Sequence, residues 1–289
     1  MSTHVFIGRP PVVQPRRRPH HGERRRFHLA ALIAIAAATP LALPSIPSRA
    51  ADMPVKTPSA KTYNWGGCYV GLNGGGAESG SDFTTTVGTG THLTPADAAL
   101  VVEGGTLSAN SPNFLGGGQA GCNWVSGTWV YGLEGDVDYF RSNPQVINGT
   151  ATLSDGVTSF TIGQSFTTNY LATVRPRLGV AADRNLFYIT GGAAFTKASY
   201  TQTYLDALVP SGTGVAAGSK FLVGWTVGAG WEYAWTDNWS FKLEYLFTGF
   251  PGTTNGIGAI TDAAGGSNPF QGSADLVIQT ARAGVNFKF

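Results

Sequence analysis

Acidic and basic side chains recur at every second position in several segments of this sequence. Glu134, Asp136 and Asp138 form one such set, and Arg175 and Arg177 form another. Residues two apart lie on the same face of a β-strand, so each set would present a row of like charges. The charged residues that we expect to share the interior of the fold are Glu134, Asp136, Asp138, Arg175, Arg177, Glu232, Lys242, Glu244 and Arg282.

Facing rows of opposite charge leave two kinds of function open. The rows could line a charged constriction that selects ions. They could instead pair completely, because each buried charge needs a partner, and so fill the interior with salt bridges.

Catalysis would need a base, which is most often a histidine. Four of the five histidines lie within the first 50 residues, which leaves His92 in the remainder. His92 follows Thr91 and precedes Asp97 in a segment without a strand pattern, and we interpret it as a solvated loop residue. The glycine runs 74–76 and 116–118 precede no helical pattern, so they do not predict a phosphate-binding loop. We therefore predict no enzyme activity, no catalytic, metal-binding or cofactor-binding residues, and no cofactor.

Eight segments after residue 64 have the alternation or composition of β-strands. Short and long connections between them alternate, as in outer-membrane barrels with short periplasmic turns and long extracellular loops. The predicted fold class is all-β, an eight-stranded antiparallel up-and-down transmembrane β-barrel. The predicted strands cover residues 65–76, 113–124, 128–140, 166–181, 186–200, 219–235, 239–249 and 273–289. The long connections are low in charge, and we expect them to be mobile.

Each clear strand has one apolar face and one polar face. Leu133 and Val137 alternate with the acidic row, and Val174 lies opposite Asn169 and Arg175. In the fifth strand the alternation is ambiguous. A soluble lipocalin-like barrel would show the same alternation with its faces reversed. An export signal at the start of the chain, the terminal Phe289 and the long connections favour a membrane barrel with lipid outside and charges inside.

The first 50 residues have the composition of a cleaved secretory signal peptide. A basic segment precedes the short apolar run 29–38, and Ser48, Arg49 and Ala50 supply a small-residue cleavage site. Residues 51–64 are predicted to be an extended periplasmic tether, and residues 65–289 the barrel. Residues 1–50 hold eight of the 19 Lys and Arg and one of the 17 Asp and Glu. The remainder is therefore acidic, and we predict no nucleic-acid partner.

The last strand ends on an aromatic residue of its apolar face. Val285, Phe287 and Phe289 resemble the carboxy-terminal signature of bacterial outer-membrane proteins. In that class the signature is read by the outer-membrane barrel assembly machinery, which the resemblance implies as a partner.

Several longer motifs resemble the small outer-membrane β-barrel proteins of alphaproteobacteria, labelled porin family or immunoreactive outer-membrane protein. They are 63-YNWGGCYVGLN-73, 115-LGGGQAGCNW-124, 132-GLEGD-136 and 188-YITGGAAF-195. The resemblance implies an OmpA-type barrel in the cell outer membrane, in contact with its lipid and lipopolysaccharide. It implies no catalytic residues.

Two cysteines depart from that family, in which both positions are usually aromatic. Cys68 and Cys122 should lie at similar heights on the outward face of two paired strands. A disulfide is plausible in an oxidising compartment, and two unpaired cysteines facing lipid remain the alternative.

Together these observations predict a structural barrel that contributes to envelope integrity and surface contacts, with an interior filled by salt-bridged side chains. An eight-stranded barrel is just wide enough for its side chains to fill. The alternative is a narrow porin-like channel for small solutes or ions. The sequence predicts no oligomeric state.

Overall fold

Eight long antiparallel strands form a closed ring in the computed structural model, which describes residues 63–142, 144–147 and 151–289. Each long strand pairs with the next long strand along the chain, and the last one (Ser267–Lys288) pairs with the first one (Gly67–Val87) and closes the ring. This arrangement confirms the predicted eight-stranded antiparallel barrel. The long strands are β1 (Gly67–Val87), β2 (Leu107–Ser126), β3 (Trp129–Ser142), β6 (Ser159–Ala182), β7 (Asn185–Asp206), β8 (Thr213–Ala234), β9 (Trp239–Thr261) and β10 (Ser267–Lys288).

Two very short strands and one helix lie in the connections. They are β4 (Gln145–Ile147), β5 (Ala151–Thr152) and α1 (Pro95–Gly104). No helix among the described residues is long and apolar enough to cross a membrane. The predicted signal peptide (1–50) lies outside the described residues, as does the predicted tether (51–64) except for its last two residues.

The predicted faces of the strands agree with the burial of their side chains. On β3 the side chains of Tyr131, Leu133 and Val137 are exposed on the outer wall, whereas Glu134 and Asp136 are buried inside the barrel. The same division holds along β8, β9 and β10 at the level of the charged residues. The outer wall is therefore apolar and the polar side chains share the lumen, as expected for a barrel whose wall faces lipid.

A β-bulge corrects one predicted orientation. Asn169 was predicted to face inward with Arg175, but its side chain is exposed. The ladder between β6 and β7 shifts register between Thr168 and Ala172. An extra residue in one strand inverts the alternation on one side of it, so Thr168 and Leu171 both face inward although they lie three positions apart.

The structure also resolves the ambiguous fifth predicted strand, which is β7. Leu186 and Tyr188 are buried in the lumen, and Phe187 and Ile189 are exposed on the outer wall. Both faces of this stretch are apolar because the lumen near the short turns is filled with apolar side chains.

The strands continue well beyond their predicted ends on the side of the long connections. The connection between β7 and β8 shortens to residues 207–212, and that between β9 and β10 to residues 262–266. The connection between β1 and β2 contains the short helix α1, which the predicted strand pattern does not include. Thr94 caps this helix by accepting a hydrogen bond from the Asp97 amide (3.2 Å), and Pro95 starts it, which are standard N-terminal signals.

The two cysteines lie opposite each other where β1 pairs with β2. Their Sγ atoms are bonded at 2.06 Å, and their Cα atoms are 4.0 Å apart. Val285, Phe287 and Phe289 lie on the outer wall of the last strand, and the Phe289 amide donates to the Cys68 carbonyl (3.1 Å). The carboxy terminus is thereby attached to the first strand.

Candidate functional site

The nine charged residues predicted to share the interior form one network across the lumen. Each is at most 4 % exposed, and each has a partner of opposite charge within 4 Å. They come from β3, β6, β8, β9 and β10. The members of this charge network are Glu134, Asp136, Asp138, Arg175, Arg177, Glu232, Lys242, Glu244 and Arg282.

Arg175 joins three carboxylates from two sides of the barrel. Its Nη2 atom lies 2.8 Å from Glu134 Oε1 and 2.6 Å from Asp136 Oδ2, on the neighbouring strand β3. Its Nη1 atom lies 3.3 Å from Glu244 Oε1 on β9. The guanidinium group therefore spans the lumen.

Arg282 repeats this arrangement from β10. Its Nη1 atom lies 2.5 Å from Asp138 Oδ2, and its Nη2 atom lies 3.0 Å from Asp136 Oδ2 and 2.6 Å from Glu244 Oε2. Asp136 and Glu244 are thus shared between Arg175 and Arg282. Shared acceptors hold two arginines close together despite their like charge.

Arg177 and Lys242 complete the set of cations. Arg177 Nη1 lies 3.2 Å from Glu232 Oε2 and 3.5 Å from Glu134 Oε2. Its guanidinium carbon lies 4.8 Å from the ring centre of Tyr69 and 5.2 Å from that of Tyr188. Lys242 Nζ lies 2.8 Å from Glu134 Oε1. Cation–π contacts are strongest where water is absent.

Neutral side chains that the sequence did not single out complete the network. Tyr69 donates its hydroxyl to Glu134 (2.5 Å), and Tyr188 donates to Glu244 (3.0 Å). Thr173 donates to Asp136 (2.7 Å), and Asn286 to Glu232 (2.8 Å). The inward position of each on its strand is the signal that could have identified them, except for Tyr188 in the ambiguous strand.

Charge balance in the network is nearly complete. Five carboxylates face four cations, and the neutral donors hydrogen-bond the acidic excess. A few polar atoms have no protein partner, among them Asp138 Oδ1 and Arg177 Nη2. Buried charges are tolerated only when they are paired and hydrogen-bonded, and this network meets that requirement closely.

Apolar side chains close the lumen on both sides of the charge network. The lower apolar layer, near the short turns, consists of Tyr63, Trp65, Val130, Leu186, Tyr188 and Ala234. The middle apolar layer, on the other side, contains Phe83, Leu115, Phe140, Phe166, Leu171, Tyr200, Leu222, Phe250, Leu276 and Ile278 together with several alanines.

The lower apolar layer includes residues that precede the first strand. Tyr63 lies in the predicted tether, yet its ring packs edge-on against Trp65 at 4.8 Å. Trp65 Nε1 donates to the Asp183 carbonyl (3.2 Å), and Asn123 donates to the Trp65 carbonyl (3.2 Å). The chain therefore enters the barrel wall by way of its periplasmic mouth.

A model of the outer membrane protein beta-barrel domain family matches residues 29–289. The chain belongs to this family. It is 33% identical over 247 residues to the 31 kDa outer-membrane immunogenic protein of Brucella melitensis, an alignment that covers 83% of this chain and 92% of the relative. It is 29% identical over 148 residues to the 22 kDa outer membrane protein of Rhizobium leguminosarum, an alignment that covers 50% of this chain and 58% of that relative.

Among solved structures, the fold is similar to that of OprG from Pseudomonas aeruginosa. That similarity covers 78% of this chain and 99% of the other, with 14% identity and a TM-score of 0.38. Membership of the family and its outer-membrane relatives place the protein in the outer membrane, in contact with its lipid. The predicted localisation and family are confirmed.

The environment predicted for His92 was wrong. It was expected to be solvated, but its side chain is 3% exposed and lies between two aspartates. Its Nε2 atom is 2.7 Å from Asp206 Oδ2, and its Nδ1 atom is 2.7 Å from Asp262 Oδ2. We call this group the histidine clasp. Asp97 lies instead in the first turn of α1, where its carboxylate accepts from the Thr94 hydroxyl (2.6 Å) and from the Ser154 amide (2.8 Å).

The histidine clasp fixes the connection that leads into α1. The amides of His92 and Leu93 both donate to Asn268 Oδ1, at 3.0 and 2.8 Å. Leu93, just before α1, and Val101 within α1 then pack into the upper apolar layer. That layer also contains Leu153, Phe160, Ile162, Tyr204, Ala216, Ile260 and Phe270. The clasp and this layer cap the extracellular end of the barrel.

Protonation of His92 is required by the geometry of the clasp. Carboxylates only accept hydrogen bonds, so both ring nitrogens must carry protons to donate to them. Burial lowers the pKa of His92, but the hydrogen bonds and charges of Asp206 and Asp262 outweigh burial and raise that pKa above its ordinary value of 6.5.

No cluster of metal-ligating side chains occurs among the described residues.

Removing one cation from the charge network should destabilise the barrel. We expect Arg175→Ala to lower the free energy of unfolding by about 3–5 kcal/mol, because three buried carboxylates lose a partner. The matched control is Arg184→Ala at a short turn, where the Asp237 partner is 3.8 Å away and 88% exposed; we expect a loss below about 1 kcal/mol. Urea titrations in lipid vesicles measure both, and equal losses would contradict a network that depends on Arg175.

The cap should loosen at high pH. A raised histidine pKa stabilises the fold fully below about pH 6.5, and this stabilisation is lost as the pH rises through the raised pKa. Hydrogen exchange of the α1 amides, corrected for intrinsic rates, should therefore be faster at pH 9 than at pH 6. His92→Gln should exchange fast at both values, with β3 amides as the internal control. Equal protection of wild-type α1 at both pH values would refute the charged clasp.

Proposed function

We propose that this outer-membrane protein is a structural barrel without pore or enzyme activity, which contributes to envelope integrity and surface contacts. One observation carries the proposal, the paired charge network between two apolar layers. An ion crossing the lumen would have to separate charges that lie 2.5–3.8 Å apart. It would then have to enter the middle apolar layer, where Phe166 and Tyr200 are fully buried.

Further closure on the extracellular side supports the same proposal. Beyond the middle apolar layer, Gln164 and Gln202 both donate to Thr85 Oγ1, at 2.9 and 2.5 Å. The upper apolar layer and the histidine clasp follow. Paired charge, apolar packing and amide hydrogen bonds thus succeed one another along the axis, so the loss of a single element would leave the lumen closed.

The terminal strand supports a second part of the proposal, recognition by the barrel assembly machinery. Val285, Phe287 and Phe289 present an apolar row on the outer wall, and Phe289 is 72% exposed. An exposed aromatic at the chain end is available to a partner before the barrel closes. The folded protein then holds this end through the Phe289 amide.

The alternative function is a narrow channel for small solutes or ions. It is favoured by lumen atoms without a protein partner, such as Asp138 Oδ1 and Arg177 Nη2. Such atoms bind water readily, and a chain of water molecules along them would be the start of a pathway.

Single-channel recording of the folded protein in a planar bilayer distinguishes the two functions. We expect no unit conductance from the wild type or from Arg175→Ala, Arg177→Ala, because the apolar layers stay in place in both. Heat-dependent gel mobility checks that each sample is folded. Stable unit steps in the wild type, with an ion preference that changes in the variant, would overturn the proposal in favour of the channel.

A further inference from the structure

The four residues before the first strand close the periplasmic mouth without joining the sheet. Residues 63–66 have no regular secondary structure, and β1 begins at Gly67. Tyr63 and Trp65 are 8% and 3% exposed, whereas Asn64 between them is exposed. The two rings therefore belong to the lower apolar layer, although their backbone is not part of the barrel wall. We call residues 63–66 the mouth plug.

Side chains hold the mouth plug in place, not a strand ladder. Trp65 Nε1 donates to the Asp183 carbonyl (3.2 Å), and Asn123 donates to the Trp65 carbonyl (3.2 Å). The Lys288 ammonium donates to the Asn64 carbonyl and lies 4.3 Å from the centre of the plug's tyrosine ring. Within the described part of the chain, no backbone–backbone hydrogen bond joins the plug to another segment. The plug can therefore leave the mouth without breaking the ladder of the wall.

A glycine joins the mouth plug to the wall. Gly67 has a φ angle of +121°, which lies in the region that residues with a side chain rarely adopt. Glycine enters this region without a steric cost, so it allows the chain to change direction sharply between the mouth and β1. Rotation about this single residue would move the plug while the rest of β1 stays paired with β2 and β10. Gly67 is therefore the natural hinge of the plug.

The mouth plug is linked to the charge network by one amide side chain. Asn123 donates to the Trp65 carbonyl, and its Oδ1 atom accepts a hydrogen bond from Arg177 Nε (2.9 Å). Arg177 Nη2 has no protein partner. A buried donor without a partner gains a hydrogen bond when water reaches it. Hydration of Arg177 would therefore offset part of the free energy that is lost when the two rings leave the lower apolar layer.

We propose that the mouth plug is a displaceable seal, which swings on Gly67 and admits water to the periplasmic half of the lumen. In the open state the rings of Tyr63 and Trp65 leave the lower apolar layer, and water reaches Asn123 and Arg177. The strands keep their pairing, because none of them includes the plug. The middle apolar layer also stays in place, so the open state is a water-filled vestibule that remains closed toward the extracellular side.

Labelling of two buried cysteines distinguishes a displaceable plug from a fixed one. In a Cys68→Ser, Cys122→Ser background, Val130→Cys reports on the lower apolar layer and Ala198→Cys on the middle one; both native side chains are at most 1% exposed. A charged thiol reagent is added to the folded protein in detergent micelles. We expect Val130→Cys to react about tenfold faster or more, because local opening exposes it alone, whereas a fixed plug leaves both to global unfolding.

A lysine variant tests how the mouth plug is held. Lys288→Gln removes the ammonium that contacts the plug, and it should raise the labelling rate of Val130→Cys about threefold without changing that of Ala198→Cys. Lys197→Gln, at an exposed lysine on β7, is the matched control and should change neither rate. Equal labelling rates at the two reporters would overturn the proposal. An equal effect of Lys288→Gln on both would also overturn it, since the variant would then have weakened the whole barrel.

Discussion

A charge buried in a closed lumen must have a partner of opposite charge, and this constraint links strands that are distant in sequence. Glu134 on β3 needs Arg175 from β6 and Lys242 from β9, while Arg282 on β10 needs Asp136 and Glu244. A slip of one residue in any of these strands would turn a charge toward lipid. The network therefore fixes the register of the ring as well as filling its interior.

The apolar layers have a complementary role, because they keep water away from the charges. Trp65 and Tyr63 close the periplasmic mouth, and Phe166 and Tyr200 lie beyond the network. Low local polarity strengthens each ion pair, and it raises the cost of breaking one. The closed lumen thus results from the interior of the barrel, and the cap formed by α1 and the histidine clasp adds a separate closure outside the membrane.

Much of the fold and most of the charge network could be predicted, because lipid forces alternation on the strands that it surrounds. In a membrane barrel the apolar Leu133 must face lipid, and the charged Glu134 beside it must face the lumen. Above the membrane water surrounds the wall, so the outward residues of β1 there include Thr84 and Thr86, and the apolar alternation ends. The strand extensions were missed for that reason. Asn169 was misplaced because a bulge leaves no mark in composition, and His92 because its two aspartates lie more than 100 residues away.

Access to the lumen is the most direct measure of the central claim that side chains fill it. Single cysteines would be introduced into a Cys68→Ser, Cys122→Ser background, one at Ala198→Cys in the middle apolar layer and one at Asp237→Cys on a short turn. A charged thiol reagent should label Asp237→Cys rapidly and should leave Ala198→Cys unmodified until the protein is denatured. Labelling of Ala198→Cys in folded protein at the rate of Asp237→Cys would contradict a filled lumen.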